Sequence, residues 1–594
     1  MLARFTRQIN SWQQLFAESS YYGGTFTQRV SPTPVSSLFT NTPMTLSPTS
    51  AFYPTAYVAS LAGGDVNLPL ELSSRTDELG PRVDRLQVEQ WRGVVGLQGD
   101  LGGWDYQLTG NYTANREVDR YVSGFVSESL FGPLLRSGVI DPFGPNTQAV
   151  VQQMRATEQV GWARDNRAAD YGGSYRMSRD ILQARGGGHV GVALGLEGHG
   201  ESLEQRSSDF YASGDTIGGD GAVPSLPRLH RTVWGLFGEV NVPLVRTLES
   251  DFALRHDHYS DFGGTTNPKV TLRWQPAQSV VVRAEYGHGF RVPTLSDLFQ
   301  PLYLGFTVNA FDDPLRCDVT HSAADCGVQL RSRSGGNPAL NPEKSRQWGA
   351  GVVLEAAPGL SASVDYFRID IRDVIDTLQA DEIFSNYAFW APAHVVRKPR
   401  DAQYPNLPGE IDYVIEDQIN FGSMHTCGID VDVRFRTLSS SIGRLTVALT
   451  GTYALDYQRS GINTTLFPTG VGTRGPDGAI ARWRHYATLD WSYKAWGATL
   501  AQTFQDGYRE VDLTSCDQNL NCPGTRRVSS YSVWDLQARY TGFRNLTASL
   551  GVRNLLDASP PLSNQDQSFQ VGIDPTYADP RGRMYYCAIR YAFK

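Results

Sequence analysis

Carboxylates placed on strand-like segments are the first residues in this chain that could do chemistry. Paired carboxylates hydrolyse glycosidic bonds when one acts as acid and the other as base or nucleophile. Three arginines lie beside the carboxylates that are named below: Arg283, Arg434 and Arg539. Such a mixture of charges is typical of the solvated wall of a channel rather than of a catalytic pair. We therefore expect no catalytic residue among them. The carboxylates are Glu285, Asp365, Asp430, Asp432 and Asp535.

Two histidines one residue apart, His256 and His258, could bind a metal ion. On a strand they share one face with Phe252 and Leu254, which favours an apolar surface over a metal site. The sequence also contains no phosphate-binding glycine loop and no nucleophile elbow. We therefore predict no catalytic, cofactor-binding or metal-binding residues and no enzyme activity. The net charge of −8 argues against a nucleic-acid partner.

Cysteines are few, and four of the six form two closely spaced pairs. Cys317 with Cys326, and Cys516 with Cys522, lie in polar stretches without alternation, which predicts two loop disulfides formed in an oxidising compartment. Free thiols are the alternative. No Cys-x-x-Cys pattern is present, so a zinc site is not expected.

Segments in which apolar and polar residues alternate must position the carboxylates and the histidines. One example is Ile429, Val431, Val433 and Phe435, interleaved with Asp430, Asp432 and Arg434. Side chains on a strand point to opposite faces in turn, so each segment has one apolar and one polar face. Roughly 18 such segments recur between about residue 12 and the last residue, joined by short turns and long polar loops in alternation.

Strand length distinguishes the two all-β architectures that this pattern allows. Soluble sandwiches and propellers use strands of about five or six residues, whereas a strand that crosses a bilayer needs about 9–11. Many segments here reach the longer value, and aromatic residues fall near their ends, as in the interfacial girdles of outer-membrane barrels. The mean hydropathy is −0.33, and no apolar run approaches the ~18 residues of a transmembrane helix. We predict an all-β, antiparallel transmembrane β-barrel with short periplasmic turns and long extracellular loops.

Several motifs, in order, resemble the barrel of TonB-dependent outer-membrane receptors. The similarity covers approximately residues 85–594 and, more faintly, the strand at 12–22. It is carried by RHDHYSDFGGTTNPKVTLRWQP (255–276), YGHGFRVPTLSDLF (286–299), GGNPALNPEKSRQWGAGV (335–352), VDYFRIDIRDVI (364–375), VRNLLDASPP (552–561) and DPRGRMYYCAIRYAF (579–593).

The resemblance implies a domain organisation. Barrels of this family have about 22 strands and a plugged lumen, so we expect residues 1–84 to hold a truncated N-terminal barrel strand and a long extracellular loop. Residues 85–594 would be the receptor barrel, and no plug domain, signal peptide or TonB-contacting segment is identified. The resemblance also implies a multi-pass protein of the outer membrane of a Gram-negative bacterium.

Function and partners follow from the same resemblance. The expected function is uptake of a scarce nutrient, such as a siderophore, an oligosaccharide or cobalamin, with TonB as partner of the full-length form. Membrane lipids and the barrel-assembly machinery are the other expected partners, the latter through a C-terminal signal at Tyr591 and Phe593. A plugless passive pore, or a soluble β-rich enzyme or adhesin, are the alternatives. Loop aromatics are the candidate substrate-binding residues: Phe299, Tyr303, Phe311, Trp390 and Tyr404.

Overall fold

The fold is dominated by one large antiparallel sheet. A computed structural model describes residues 1–592 except 41, 62, 185–186, 220, 438–440, 461–469, 476–477, 511–525 and 564–571. Within these residues the strands are β1 (Leu2–Asn10), β2 (Gln13–Val30), β3 (Pro34–Ser36), β4 (Thr45–Leu46), β5 (Leu70–Glu71), β6 (Ser73–Arg75), β7 (Arg82–Leu101), β8 (Trp104–Ser123), β9 (Gly161–Gln183), β10 (His189–Ser207), β11 (Leu226–Val245), β12 (Leu248–Tyr259), β13 (Gly263–Ala277), β14 (Val280–Arg291), β15 (Tyr303–Phe311), β16 (Val328–Gly335), β17 (Glu343–Ala357), β18 (Leu360–Arg372), β19 (Ile375–Thr377), β20 (Val395–Arg397), β21 (Ile411–Asn420), β22 (Ser423–Arg436), β23 (Arg444–Ser460), β24 (Thr473–Gly475), β25 (Gly478–Ala479), β26 (Trp483–Tyr493), β27 (Trp496–Gln505), β28 (Tyr508–Glu510), β29 (Arg526–Val528), β30 (Tyr531–Phe543), β31 (Leu546–Arg553) and β32 (Met584–Tyr591).

Short helices occur only in connections among the described residues. They are α1 (Thr55–Ser60), α2 (Glu128–Arg136), α3 (Gln148–Arg155), α4 (Asp209–Ser213), α5 (Leu295–Phe299), α6 (Cys317–Thr320), α7 (Ala380–Ser385) and α8 (Tyr387–His394), with 3-10 turns at Ser37–Phe39 and Asp77–Leu79. Helix α3 begins after its N-cap Thr147, whose side chain accepts from the backbone N–H of Val150. None of the described helices has the length and apolarity needed to cross a membrane.

The main sheet contains 19 strands, and strands that follow one another within this sheet along the chain are hydrogen-bonded to each other. The order is β1, β2, β7 to β14, β17, β18, β22, β23, β26, β27, β30, β31 and β32, and every neighbouring pair is antiparallel. Among the described residues, β1 pairs only with β2 and β32 only with β31. This up-and-down order is that of an outer-membrane barrel wall, and the predicted fold class is confirmed.

The connections leave the two ends of the sheet very unequal. At one end the strands join through short turns; β7 and β8, for example, join through Gly102 and Gly103, both at positive φ (63° and 78°), which a tight hairpin requires. At the other end the connections are long, apart from residues 260–262 between β12 and β13. The predicted alternation of short turns and long loops is therefore confirmed, with one short exception.

Opposite faces of the sheet differ as the alternation predicts. In neighbouring strands Val433 pairs with Leu449, and Leu449 with Ala487, on one face. On the other face Thr450 Oγ1 donates to Asp432 Oδ2 at 2.8 Å. Aromatic rings lie on the apolar face near its margins, as in the contacts Trp91–Tyr112 (5.4 Å) and Trp496–Tyr540 (4.6 Å). The apolar face is the lipid face and the polar face lines the lumen.

The N-terminus holds one strand more than the sequence predicts. All of the roughly 18 predicted segments coincide with strands, and β1 is the additional one. A bulge between Gln8 and Asn10 breaks the pairing with β2, and Arg7 shares a face with Phe5, so no clean alternation marks this strand. Residues 1–84 therefore hold two barrel strands instead of the single one expected, and the expected boundary at 84/85 falls inside β7.

The C-terminal strand places Tyr591, which is 50% exposed, on the face shared with Tyr585 and Ile589. Phe593 lies outside the described residues. The assembly role of both residues stays a prediction.

Candidate functional site

The long connections fold into compact modules at one end of the barrel. The first, here the N-terminal loop module, is built from the connections 31–81, 124–160 and 208–225. Its core contains Met44, Leu46, Phe131, Leu135 and Ile217, each 0–1% exposed. Because these side chains come from three different connections, burying them fixes the connections to one another.

The central loop module combines two further connections, residues 292–342 and 373–422. Strands β15 and β16 from the first connection join β21, β19 and β20 from the second in one small sheet, in which β16 and β21 are parallel. The core of the module includes Leu378, Ile383 and Val414, all 0% exposed. Two successive long loops, separated by the β17–β18 hairpin, thus form one folded unit.

Buried ion pairs and a disulfide hold the central loop module together. Arg316 Nε donates to Asp325 Oδ1 at 2.9 Å, with side chains only 2% and 1% exposed. Arg316 also reaches across to Asp401 Oδ2 (3.0 Å) in the other connection. Cys317 and Cys326, the predicted pair, are joined by a disulfide in the same segment. The second predicted pair, Cys516 and Cys522, lies outside the described residues.

Acidic groups in this module have altered pKa values. Burial raises the pKa of Glu382 to about 7, against a smaller opposing effect of Arg459. Burial also raises the pKa of Glu416, whose Oε1 accepts from the backbone N–H of Ala380 at 2.9 Å. The pKa of Asp401 is lowered, mainly because it accepts the backbone N–H of Tyr404 and then because of Arg316. The stability of the module therefore depends on pH, with opposite signs for the buried glutamates and for Asp401.

The loop aromatics chosen from the sequence have diverse environments. Trp390 is 7% exposed in the core of the central loop module, and Phe311 packs on the same core, stacked on Phe384 at 4.5 Å. Tyr303 packs against the cluster around Tyr121 and Phe125. These three contribute to loop packing, and a contact with substrate remains a prediction for them.

The other two chosen aromatics are not members of these packed clusters. Phe299, at the end of α5, is 38% exposed. Tyr404 is partly buried and lies under the Arg316 guanidinium, with Cζ 5.8 Å from the ring centre. The structure does not gather the five predicted aromatics into one site.

A seam between the two modules carries charge that sequence reasoning missed. Arg331 and Arg333 project from the same side of β16, opposite to buried Leu330, and are half-buried. Arg331 Nη2 donates to the backbone oxygen of Thr40 in the N-terminal loop module at 2.9 Å. Arg333 Cζ lies 5.2 Å above the Tyr413 ring, and its Nη1 donates to the Tyr413 hydroxyl at 3.2 Å. We call Arg331, Arg333 and Tyr413 the arginine strip.

Close backbone approach also marks this seam. A Cβ added to Gly221 of the N-terminal loop module would lie 2.5 Å from Cβ of Leu304 on β15, and φ is +69° there. Phe39 and Phe306 meet edge to face across the seam at 4.6 Å. The two modules therefore pack directly against each other, with the arginine strip beside their contact. An Arg-x-Arg spacing on a loop strand is the one signal that could have revealed it.

The carboxylates considered for catalysis line the lumen and are already engaged. Asp365 accepts two hydrogen bonds of 2.6 Å from the Arg283 guanidinium. The other four bind a Thr hydroxyl, a backbone N–H or a Lys: Asp430 with Thr452, Asp432 with Thr450, Asp535 with Asn554 and Glu285 with Lys269. This arrangement is that of a charged channel wall. His256 and His258 lie beside Trp234 on the lipid face, with ring centres 5.6 and 5.3 Å from it.

Comparison with known proteins identifies the family. Residues 16–555 match the family described as "TonB dependent receptor-like, beta-barrel". The chain belongs to this family. Its barrel is an outer-membrane barrel that crosses the bilayer many times, and the family's members are transport receptors.

Curated relatives of this family member are longer than the chain. It is 24% identical over 409 residues to the "Ferric enterobactin receptor PirA" of Pseudomonas aeruginosa, an alignment that covers 68% of this chain and 47% of the relative. It is 25% identical over 198 residues to the "Iron-regulated outer membrane virulence protein" of Vibrio cholerae, covering 33% of this chain and 25% of the relative. In these alignments the chain spans about half the length of PirA and a quarter of the length of the Vibrio cholerae protein.

Solved structures of family members share the fold. The ferric enterobactin receptor PfeA of Pseudomonas aeruginosa superposes with a TM-score of 0.59 at 16% identity, over 99% of this chain and 69% of the other. The siderophore receptor PirA of Acinetobacter baumannii gives 0.59 at 14% identity, over 100% of this chain and 70% of the other.

Proposed function

We propose that this receptor barrel takes up an iron chelate of the ferric siderophore class across the outer membrane, as part of a TonB-coupled system and without catalysing a reaction. The proposal is supported by the family membership and by the relatives, two of which are named as ferric enterobactin receptors. The observation that carries it is the arginine strip at the seam of two folded loop modules.

The chemistry of the arginine strip suits an anionic aromatic chelate. Ferric complexes of catecholates are anionic and expose aromatic rings. A guanidinium can pair with the anion and stack on a ring, and a tyrosine offers a further ring face. Arg333 and Tyr413 are already stacked on one another, so little side-chain order would be lost on binding. Binding residues on loops above a rigid barrel are the usual arrangement for recognition.

A binding assay tests the substrate class. The purified chain, folded in detergent, is titrated with ferric enterobactin, with a ferric hydroxamate and with cobalamin, and tryptophan fluorescence is followed. We expect saturable binding of the catecholate complex and at least tenfold weaker binding of the other two. The double variant Arg331→Ala/Arg333→Ala should bind the catecholate at least tenfold more weakly.

A matched control separates recognition from general charge. Arg434 is an exposed, lumen-facing arginine on β22 close to the short-turn end of the barrel, and Arg434→Ala should bind like the parent. Equal binding of all three compounds, or no saturable binding of the catecholate, would overturn the proposed substrate class. For the TonB partner, cells that produce the native protein should lose radioactive iron uptake when TonB is deleted, and retained uptake would contradict the coupling.

A further inference from the structure

Three potential metal ligands meet on the lumen wall between β9 and β10. Asp170 on β9 and Glu201 on β10 are paired in register, and His199 precedes Glu201 by two residues on the same face. His199 Nε2 lies 3.4 Å from Glu201 Oε1 and 3.9 Å from Asp170 Oδ2. One ligand atom from each residue lies within 4.8 Å of the other two. A single ion could therefore touch all three side chains.

Neighbouring residues orient both carboxylates toward the histidine. Asn111 Nδ2 donates to Asp170 Oδ1 at 2.9 Å, which leaves Oδ2 on the side of His199. Arg231 Nε donates to Glu201 Oε2 at 3.1 Å, which leaves Oε1 on the side of His199. Hydrogen-bond partners of this kind, behind the ligand atoms, are a general property of metal sites.

The charges around the cluster are unequal. The cluster and its neighbours include three carboxylates, those of Asp170, Glu201 and Asp261. They also include one guanidinium, that of Arg231, whose side chain is 4% exposed and which pairs with Glu201 and Asp261. With a neutral imidazole, this group carries two negative charges in excess, which one divalent cation would neutralise. Partly buried carboxylates favour such compensation because unpaired charge is costly away from water.

We propose that Asp170, His199 and Glu201 bind a divalent first-row transition-metal ion as a fixed component of the barrel wall. One imidazole nitrogen and two carboxylate oxygens suit Zn²⁺ and its neighbours better than Ca²⁺ or Mg²⁺, which prefer oxygen ligands alone. The ion is separate from the transported chelate. Arg231 Nη1 also donates to the backbone oxygen of Pro293 at 2.8 Å, so the ion would fix the start of the central loop module through Glu201 and Arg231.

Calorimetry with Zn²⁺ tests the site directly. Untagged chain, folded in detergent and stripped with a chelator, is titrated with zinc chloride. We expect one saturable site in the parent. His199→Ala and Asp170→Asn should each weaken it at least tenfold, and Asn111→Ala should weaken it about 10- to 100-fold through the loss of an orienting partner.

A second histidine supplies the control. His425 Nε2 lies 2.9 Å from Asp456 Oδ2, the one carboxylate to which it is hydrogen-bonded among the described residues, so His425→Ala should bind zinc like the parent. Every variant is first shown to migrate as a heat-modifiable folded barrel. Absence of saturable binding in the parent, or unchanged binding in both His199→Ala and Asp170→Asn, would overturn the proposal. The assay contains no siderophore, so its outcome is independent of the proposed substrate class.

Discussion

Replacing Leu449 by Arg should destabilise the folded barrel in a bilayer, whereas the same replacement at Thr450 should not. Leu449 lies on the lipid face of β23, between Val433 and Ala487 of the neighbouring strands. Thr450, the next residue, faces the lumen and donates to Asp432 at 2.8 Å. An arginine at 449 must place its guanidinium in hydrocarbon, while an arginine at 450 gains a carboxylate neighbour in water.

The depth of Leu449 can be worked out from the register. Toward the loops, Tyr453 pairs with Trp483, and toward the short turns Leu445 pairs with Trp491, so a tryptophan lies at the level four residues away on each side. Four residues span about 13 Å along a strand, or about 10 Å of depth at a tilt of about 40°. Leu449 is therefore near the middle of an apolar band about 25 Å tall, where an arginine costs about 2–4 kcal/mol.

Urea titrations of the protein folded into vesicles would measure these free energies. Leu449→Arg should lose about 2–4 kcal/mol, Leu445→Arg at the girdle about 0–1 kcal/mol, and Thr450→Arg less than about 0.5 kcal/mol. The order of the three variants, more than any single value, reports the face and depth of the strand. Equal losses at 449 and 450, or a larger loss at 445 than at 449, would refute the assigned lipid face.

Three further predictions concern the central loop module. Cys317 and Cys326 should remain unlabelled by an alkylating reagent without reduction, and mass spectrometry of the loop peptide checks this; two labelled thiols would contradict the disulfide. Asp325→Asn leaves buried Arg316 without its main partner and should cost the module about 3 kcal/mol, seen as faster proteolysis within residues 292–422 while the barrel stays heat-modifiable; unchanged proteolysis would show that Asp401 alone satisfies the guanidinium. Because burial raises the folded pKa of Glu382 to about 7, the folded module binds more protons than the unfolded chain between the ordinary glutamate pKa and about 7. Its stability should therefore fall as the pH rises through that window; hydrogen exchange at both ends of the window measures this, and Glu382→Gln should reduce the difference, leaving the part that Glu416 contributes.

The barrel wall was predictable because its signal is local. A strand that separates lipid from water must alternate between apolar and polar residues. This pattern can be recognised in a single strand without knowledge of the neighbouring strands. β1 was missed because Arg7 lies on the same face as Phe5 and interrupts the alternation. Loop packing has no such signal. The hydrogen bond from Arg331 to Thr40 joins residues 291 positions apart, and nothing in either segment alone indicates the other.

Candidate residues were harder to predict than strands because a residue type does not fix its role. Trp390 and Phe311 were reasonable loop aromatics, yet the central loop module needs a core of its own and buries them in it. Arg331 and Arg333 remain half-buried at the seam because Leu330, Ser332 and Ser334 take the inner face of β16. Only the pairing of β16 with β15 and β21 decides which set faces inward.

Register decides the proposed metal site in the same way. The β9–β10 hairpin begins with His189 opposite Gln183, and this register, continued without interruption, would place Glu201 opposite Tyr171 on the lipid-facing side of β9. A shift between Val190 and Gly191 moves the pairing by one residue, so that Glu201 lies opposite Asp170. One irregularity near the short turn thus brings two carboxylates and His199 together many residues further along the hairpin, since a one-residue change of register exchanges the faces of a strand. Sequence alternation alone gives the polar face of each strand, and the site depends on the bulge.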